Sequence, residues 1–96
     1  MKYFVYILKC SDNTLYTGIT NDLINRLKTH NEGKASKYTR GRTPVCYSYI
    51  EQISNVGSAL KRERSIKKLP KVKKLELIES NKNQIRTLYK EGLESI

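Results

Sequence analysis

An α+β fold, a small three-stranded antiparallel sheet flanked by helices, is what the changes of hydrophobic period along this chain predict. Three observations carry it. Residues 2–10 and 14–20 are two runs rich in Tyr, Val, Ile and Thr, separated only by the polar segment Ser11-Asp12-Asn13, which is turn chemistry between two strands. A third run of this kind, Val45 to Ile53, stands apart from them and is followed by helical spacing. No linker, internal repeat or low-complexity tract divides the 96 residues, so the expectation is one domain over 1–96, with a core of about residues 2–80 and a helical extension of about 81–96.

After the hairpin, Thr20, Asn21 and Asp22 offer helix-start chemistry before Leu23, Ile24 and Leu27, and Gly33 supplies the stop. The first helix is therefore expected at about 22–32. Lys34 to Arg42 contains Lys34, Lys37, Arg40 and Arg42 with no acid and reads as an exposed basic loop. From Val56 to Leu69 the apolar residues Val56, Ala59, Leu60 and Ile66 fall near one stripe, and Pro70 either ends that helix or opens the next. Two more short helices are expected over 71–80 and 83–91.

Lys and Arg number 19 against 9 Asp and Glu, a formal net charge of +10 on a small surface, which predicts attraction to a polyanion, nucleic acid first. A membrane partner is not expected: no segment has the basic amphipathic pattern of a surface helix, and the apolar run Tyr3 to Leu8 is too short for a signal or spanning segment. A cytoplasmic location follows as the expectation. Cys10 and Cys46 have no partner at zinc-ligand spacing and read as buried free thiols.

Tyr6 and Tyr16 lie ten residues apart on the two strands of the hairpin and are followed by Arg26, His30 and Glu63. A register pairing Tyr6 with Tyr16 or with Gly18 would project both phenols from one side of the sheet. Arg26 and His30 are four apart and share a helix face; a guanidinium suits a phosphate whose charge grows in the transition state, and an ordinary solvated face would carry the same pair. Glu63 falls on or beside the apolar stripe of its helix, where a carboxylate needs a partner. Either an ion pair with Arg62, Arg64 or a neighbouring strand meets that need, or a Mg²⁺ that keeps several waters and binds the substrate phosphate. A tyrosine is a poor base with an unperturbed pKa of about 10, but a nearby cation or His30 would let the phenol relay a proton from an attacking water.

These residues, in this order, resemble the GIY-YIG nuclease domain, and in particular its small stand-alone bacterial members of unassigned role. The resemblance runs over about residues 2–80 through Tyr6-Ile7-Leu8, Leu15-Tyr16-Thr17-Gly18-Ile19-Thr20, Arg26, His30 and Ala59-Leu60-Lys61-Arg62-Glu63. The first tripeptide here is Val-Tyr-Ile and the second Tyr-Thr-Gly, so the tyrosines and Gly18 are retained. An Asn that many active members carry about a dozen residues after the Glu is not matched; Lys74 and Leu75 stand in that neighbourhood. The resemblance implies a metal-dependent endonuclease, with DNA as the first substrate expected. Its catalytic residues are Tyr6, Tyr16, Arg26, His30 and Glu63, the last holding Mg²⁺ or Mn²⁺, and its products carry a 5′ phosphate and a 3′ hydroxyl. Gly18 is expected to allow close approach of strand, helix or substrate backbone. Lys34, Lys37, Arg40, Arg42, Lys61, Arg62, Lys67 and Lys68 would follow the phosphate backbone without reading bases. The separate DNA-binding domain of larger relatives has no counterpart, so a protein partner supplying specificity is also expected. Two other readings stay open, a non-catalytic DNA- or RNA-binding module on the same scaffold and a basic protein-interaction protein.

Overall fold

Residues 2–90 are described by the structure, a computed structural model. The elements are β1 (Tyr3–Lys9), β2 (Leu15–Thr20), α1 (Leu23–Asn31), α2 (Lys37–Arg40), β3 (Cys46–Ile53), α3 (Val56–Lys67), α4 (Lys71–Ile78) and α5 (Ile85–Lys90). The sheet is antiparallel in the order β2-β1-β3. This is the α+β architecture the sequence predicts. The expected helix over 83–91 is seen as α5, and the end of the expected extension, residues 91–96, lies outside the described residues.

The hairpin turn closes because Asn13 accepts a left-handed φ of 67° and donates its N–H to the Cys10 carbonyl, while Asp12 accepts from the Thr14 amide and hydroxyl. Its register pairs Tyr6 with Gly18 and Leu8 with Tyr16. Alternation along β1 then sorts the core into two faces. Tyr6 and Leu8 pack with Leu23 and Leu27 of α1 and with Val45, Tyr47 and Ile50, whereas Val5 and Ile7 pack with Tyr49 and with Ala59 and Ile66 of α3. Helix α1 thus covers one face and α3 the other.

Asp22 caps α1 by accepting the Asn25 amide, and Gly33, at φ 75°, turns the chain away after the helix. The segment read as an open basic loop holds the short helix α2, capped by Ser36, with Thr39 buried. Three further expectations change. Cys10 is buried, but Cys46 opens β3 at the sheet's end and is exposed. On α3 the buried residues are Ala59 and Ile66, while Val56 and Leu60 face solvent; the packed stripe is narrower than the apolar residues suggested. Pro70 opens the next helix, standing at the N-cap of α4.

The outer edge of β3 is sealed by the segment that follows α4. The Asn83 side chain accepts from the Ile50 and Ile85 amides and donates to the Ser48 and Ile78 carbonyls, and Gln84 accepts from the Gln52 amide. Side-chain and backbone bonds of this segment take the place of a fourth strand, and Ile85 and Leu88 pack on the Tyr6 side of the core.

Candidate active site

Tyr6 projects from the central strand across Gly18 of its neighbour. A Cβ on Gly18 would stand 2.4 Å from the Tyr6 hydroxyl and 2.6 Å from Cζ, so the phenol lies where any other residue would place a side chain. The close approach expected at Gly18 is made by the Tyr6 ring. That ring meets Tyr47 edge-on at 5.4 Å and His30 at 5.9 Å, and Tyr47 is itself fixed by donating its hydroxyl to the Leu23 carbonyl at 2.6 Å.

His30 and Arg26 come from successive turns of α1 and both reach this phenol. The Tyr6 hydroxyl lies 2.9 Å from His30 Nε2, and Arg26 Nε donates to it at 3.4 Å. His30 Nδ1 lies 2.9 Å from Thr39 Oγ1, whose hydroxyl points to the Ser36 carbonyl at 3.4 Å. With the Thr39 hydroxyl donating to the Ser36 carbonyl, Nδ1–H donates to Thr39, and the Nε2 lone pair accepts from Tyr6. The imidazole is therefore neutral. Burial, reinforced by the charge of Arg26, lowers the His30 pKa to about 4, and the ring is fully buried. Burial also raises the Tyr6 pKa, partly offset by the Arg26 bond. Tyr6 itself is fully buried.

Tyr16 is half-buried beside them. Its ring meets His30 edge-on at 5.4 Å and stacks on Tyr38 at 5.7 Å, and its hydroxyl takes no partner among the described residues. Glu63 stands one turn after Ala59 and one before Ile66, on the sheet-facing stripe of α3. Its side chain is 14% exposed, 3.6 Å from Lys67 Nζ, and its charge is among the smaller causes raising the Tyr6 pKa. Tyr6, Tyr16, Arg26 and His30 thus meet directly, while Glu63 reaches them by its field.

The expected phosphate-track cations divide. Lys34, Lys37, Arg40, Lys61 and Lys68 are exposed. Arg42 is held by Asp12 at 3.0 Å and by the Tyr38 carbonyl at 2.7 Å, with its guanidinium 4.2 Å above the Tyr38 ring. Arg62 donates to Glu51 at 3.1 Å, and Glu51 also accepts from Tyr49; burial and that bond push the Tyr49 hydroxyl up to about 12. Lys67 faces Glu63. Thr39, which completes the bonding of the only His, was not singled out from the sequence, although Ser36 three residues before it is a helix-cap signal.

A family model described as the GIY-YIG catalytic domain matches residues 2–76. The chain belongs to the GIY-YIG family. Among similar proteins, a UPF0213 protein of Clostridium perfringens is 54% identical over 77 residues, 80% of this chain and 83% of the relative. One of Oceanobacillus iheyensis is 49% identical over 78 residues, 81% and 91% of the two chains. The solution NMR structure of a UPF0213 protein from Bacillus halodurans shares 38% identity and a TM-score of 0.56, covering 85% of this chain and 87% of that one. Membership of the GIY-YIG family suggests nuclease-type chemistry on nucleic acid, and GIY-YIG nucleases are generally metal-dependent.

The residues present fit a metal of one kind only. No group of three or more His, Cys, Asp or Glu gathers among the described residues, so those residues form no preformed cage. Glu63 alone offers a mostly buried carboxylate with a weak ion pair, which suits a hard cation that keeps waters and takes further oxygens from a phosphate. Among the described residues no helix is long and apolar enough to cross a membrane.

Proposed function

We propose that this GIY-YIG domain is a metal-dependent nuclease hydrolysing phosphodiester bonds, DNA first, by attack of water on phosphorus in a single displacement. The observation that carries the reading is the bonded series Arg26, Tyr6, His30, Thr39, because it gives the Tyr6 proton a destination. A raised pKa excludes a resting phenolate, so Tyr6 acts as a relay: its oxygen takes a proton from the attacking water as its own proton passes to neutral His30 Nε2. The phosphate brings negative charge that opposes the effect of Arg26 on His30 and makes the imidazole a better base. As water's oxygen bonds to phosphorus, the bond to the 3′ oxygen breaks, and that oxygen takes a proton from solvent water.

Arg26 has two tasks. In the resting site its long 3.4 Å bond covers the phenol; on binding, the half-buried guanidinium turns to the phosphoryl oxygens, where its planar fork offsets their charge, and uncovers Tyr6. Tyr16, with a free hydroxyl, holds the water or a phosphate oxygen. Glu63 would hold Mg²⁺ or Mn²⁺, which when bound supplies charge to stabilise the phosphate and the leaving oxygen. The exposed cations Lys34, Lys37, Arg40, Lys61 and Lys68 hold the backbone.

One observation favours a second reading, a non-catalytic nucleic-acid-binding module: Tyr6 and His30 are fully buried in the resting structure. The deciding experiment incubates the protein and its Glu63→Gln variant with single-stranded, duplex and branched DNA and RNA, in Mg²⁺, Mn²⁺ or chelator. Metal-dependent cleavage lost in the variant with binding retained supports the nuclease. Equal salt-sensitive binding by both proteins, with no cleavage of any substrate, selects the binding module.

A further inference from the structure

We infer that the cleft between the β1–β2 turn, α2 and the first turns of α4 is a phosphate subsite that grips the sugar-phosphate backbone next to the scissile bond. The inference rests on the nucleic-acid reading above and adds a place and an orientation to it. The cleft has a volume of about 180 Å³ and is lined by Thr14, Leu15, Tyr38, Lys71 and Lys74, space for about six waters at ~30 Å³ each. It adjoins the candidate site through ring contacts: Tyr38 stacks on Tyr16, which meets His30.

Its chemistry selects an anion. No acid lines it, and the acid of the adjoining turn, Asp12, is already satisfied by Arg42 and Thr14. Lys71 Nζ donates one N–H to the Asn13 carbonyl at 3.0 Å, leaving two of an ammonium's three donors. Lys74 is half-buried with no hydrogen bond or ion pair among the described residues. Two ammonium groups at one cleft with no carboxylate in its lining leave an anion as the complementary occupant. A base is a poorer occupant, because the Tyr38 ring is already engaged by Tyr16 and by the Arg42 guanidinium and is not free as a stacking platform. A phosphodiester beside the reacting one is of matching charge and is tethered to the same strand. The cleft would therefore set which way that strand runs through the site.

The test is fluorescence anisotropy of a short labelled DNA duplex in chelator, which blocks metal-dependent cleavage, at salt from about 50 to about 200 mM. Lys74→Met keeps the aliphatic stem, Lys71→Met is the second variant, and Lys82→Met is the control, its residue lying in a separate cleft with Glu51, Gln52, Arg62 and Gln84. Each cleft variant is expected to bind roughly three- to tenfold more weakly at low salt, with a log–log salt slope shallower by about 0.9, the change for one lost phosphate contact, while the control keeps the wild-type slope. A wild-type slope in both cleft variants, with wild-type binding intact, overturns the subsite and leaves the proposed function standing. A loss as large in Lys82→Met also overturns it, by showing that any lysine suffices. Salt-insensitive or absent binding by the wild-type protein overturns the nucleic-acid reading itself.

Discussion

His30 makes folding stability fall on mild acidification by an amount that can be worked out. Its pKa is about 4 in the folded protein against about 6.5 in an unfolded chain. The unfolded state therefore binds more protons between those values, and stability rises with pH across that window. The contribution is fully present above about pH 6.5 and is lost as pH falls towards 4. With these two values, acidification from pH 7.5 to pH 5 costs about 2 kcal/mol, roughly a thirtyfold shift toward the unfolded state. His30→Gln offers an amide oxygen and an N–H group for Tyr6 and Thr39 but does not titrate. Urea unfolding at both pH values should show the wild-type midpoint falling by roughly 1–2 M, for an m-value in the lower part of ~1–3 kcal/mol per M. The variant should start lower and move much less. Parallel losses in the two proteins would refute the buried, neutral imidazole, and with it the proton acceptor of the proposed reaction.

Gly18→Ala should destabilise the protein by roughly 1–3 kcal/mol in urea unfolding, because the new Cβ meets the Tyr6 hydroxyl at 2.4 Å; a neutral result would deny the close approach. Asn83→Ala should cost roughly 2–4 kcal/mol, as it leaves the Ile50 amide and the Ser48 and Ile78 carbonyls without their partner, and thermal unfolding checks it: a loss below 1 kcal/mol would show the seal on β3 to be dispensable. In the native protein a thiol-reactive disulfide dye should modify Cys46 quickly and Cys10 only in denaturant; two fast thiols would count against the packing of β1. Calorimetric titration of Mn²⁺ into the free protein should show affinity no better than about 10⁻³ M, tightening when an uncleavable duplex is added and failing to tighten in Glu63→Gln. Tight binding to the free protein would contradict a site completed by substrate.

The hairpin, helices α1, α3, α4 and α5, and the projection of Tyr6 and Tyr16 from one face of the sheet were legible because hydrophobic period and turn chemistry act over a few residues. Cap signals did the same for α1, at Asp22 and Gly33. What was not legible depends on pairing between elements distant in sequence. Arg62 reads as a free cation in a basic run, yet Glu51, eleven residues earlier on a different element, claims it. Arg42 is likewise claimed by Asp12 across thirty residues. Cys46 reads as buried by residue type, but it starts β3 at the end of the sheet, where no neighbour covers it enough to bury it. Thr39 became a partner of His30 only because the chain reverses at Gly33 and folds α2 back against α1. No periodicity marks that return.

The division of the sheet into two covered faces explains why Gly18 matters more than its size suggests. Helix α1 carries Arg26 and His30 on the Tyr6 face, and α3 carries Glu63 on the opposite one. Groups on opposite faces of a sheet can act together only around its edge. Of the two edges, that of β3 is taken by Asn83 and Gln84, which leaves β2. Tyr6 starts on the central strand and crosses β2 at Gly18, the position of the hairpin where the opposed residue has no side chain. A larger residue there would hold the phenol back over β1, farther from the edge. In the proposed reaction the phosphate must come within reach of Arg26 and of Glu63, which would hold the cation. On the proposed reading that edge is where both helices would reach one ligand, and the glycine that looks like a strand defect is what lets the Tyr6 phenol extend toward it.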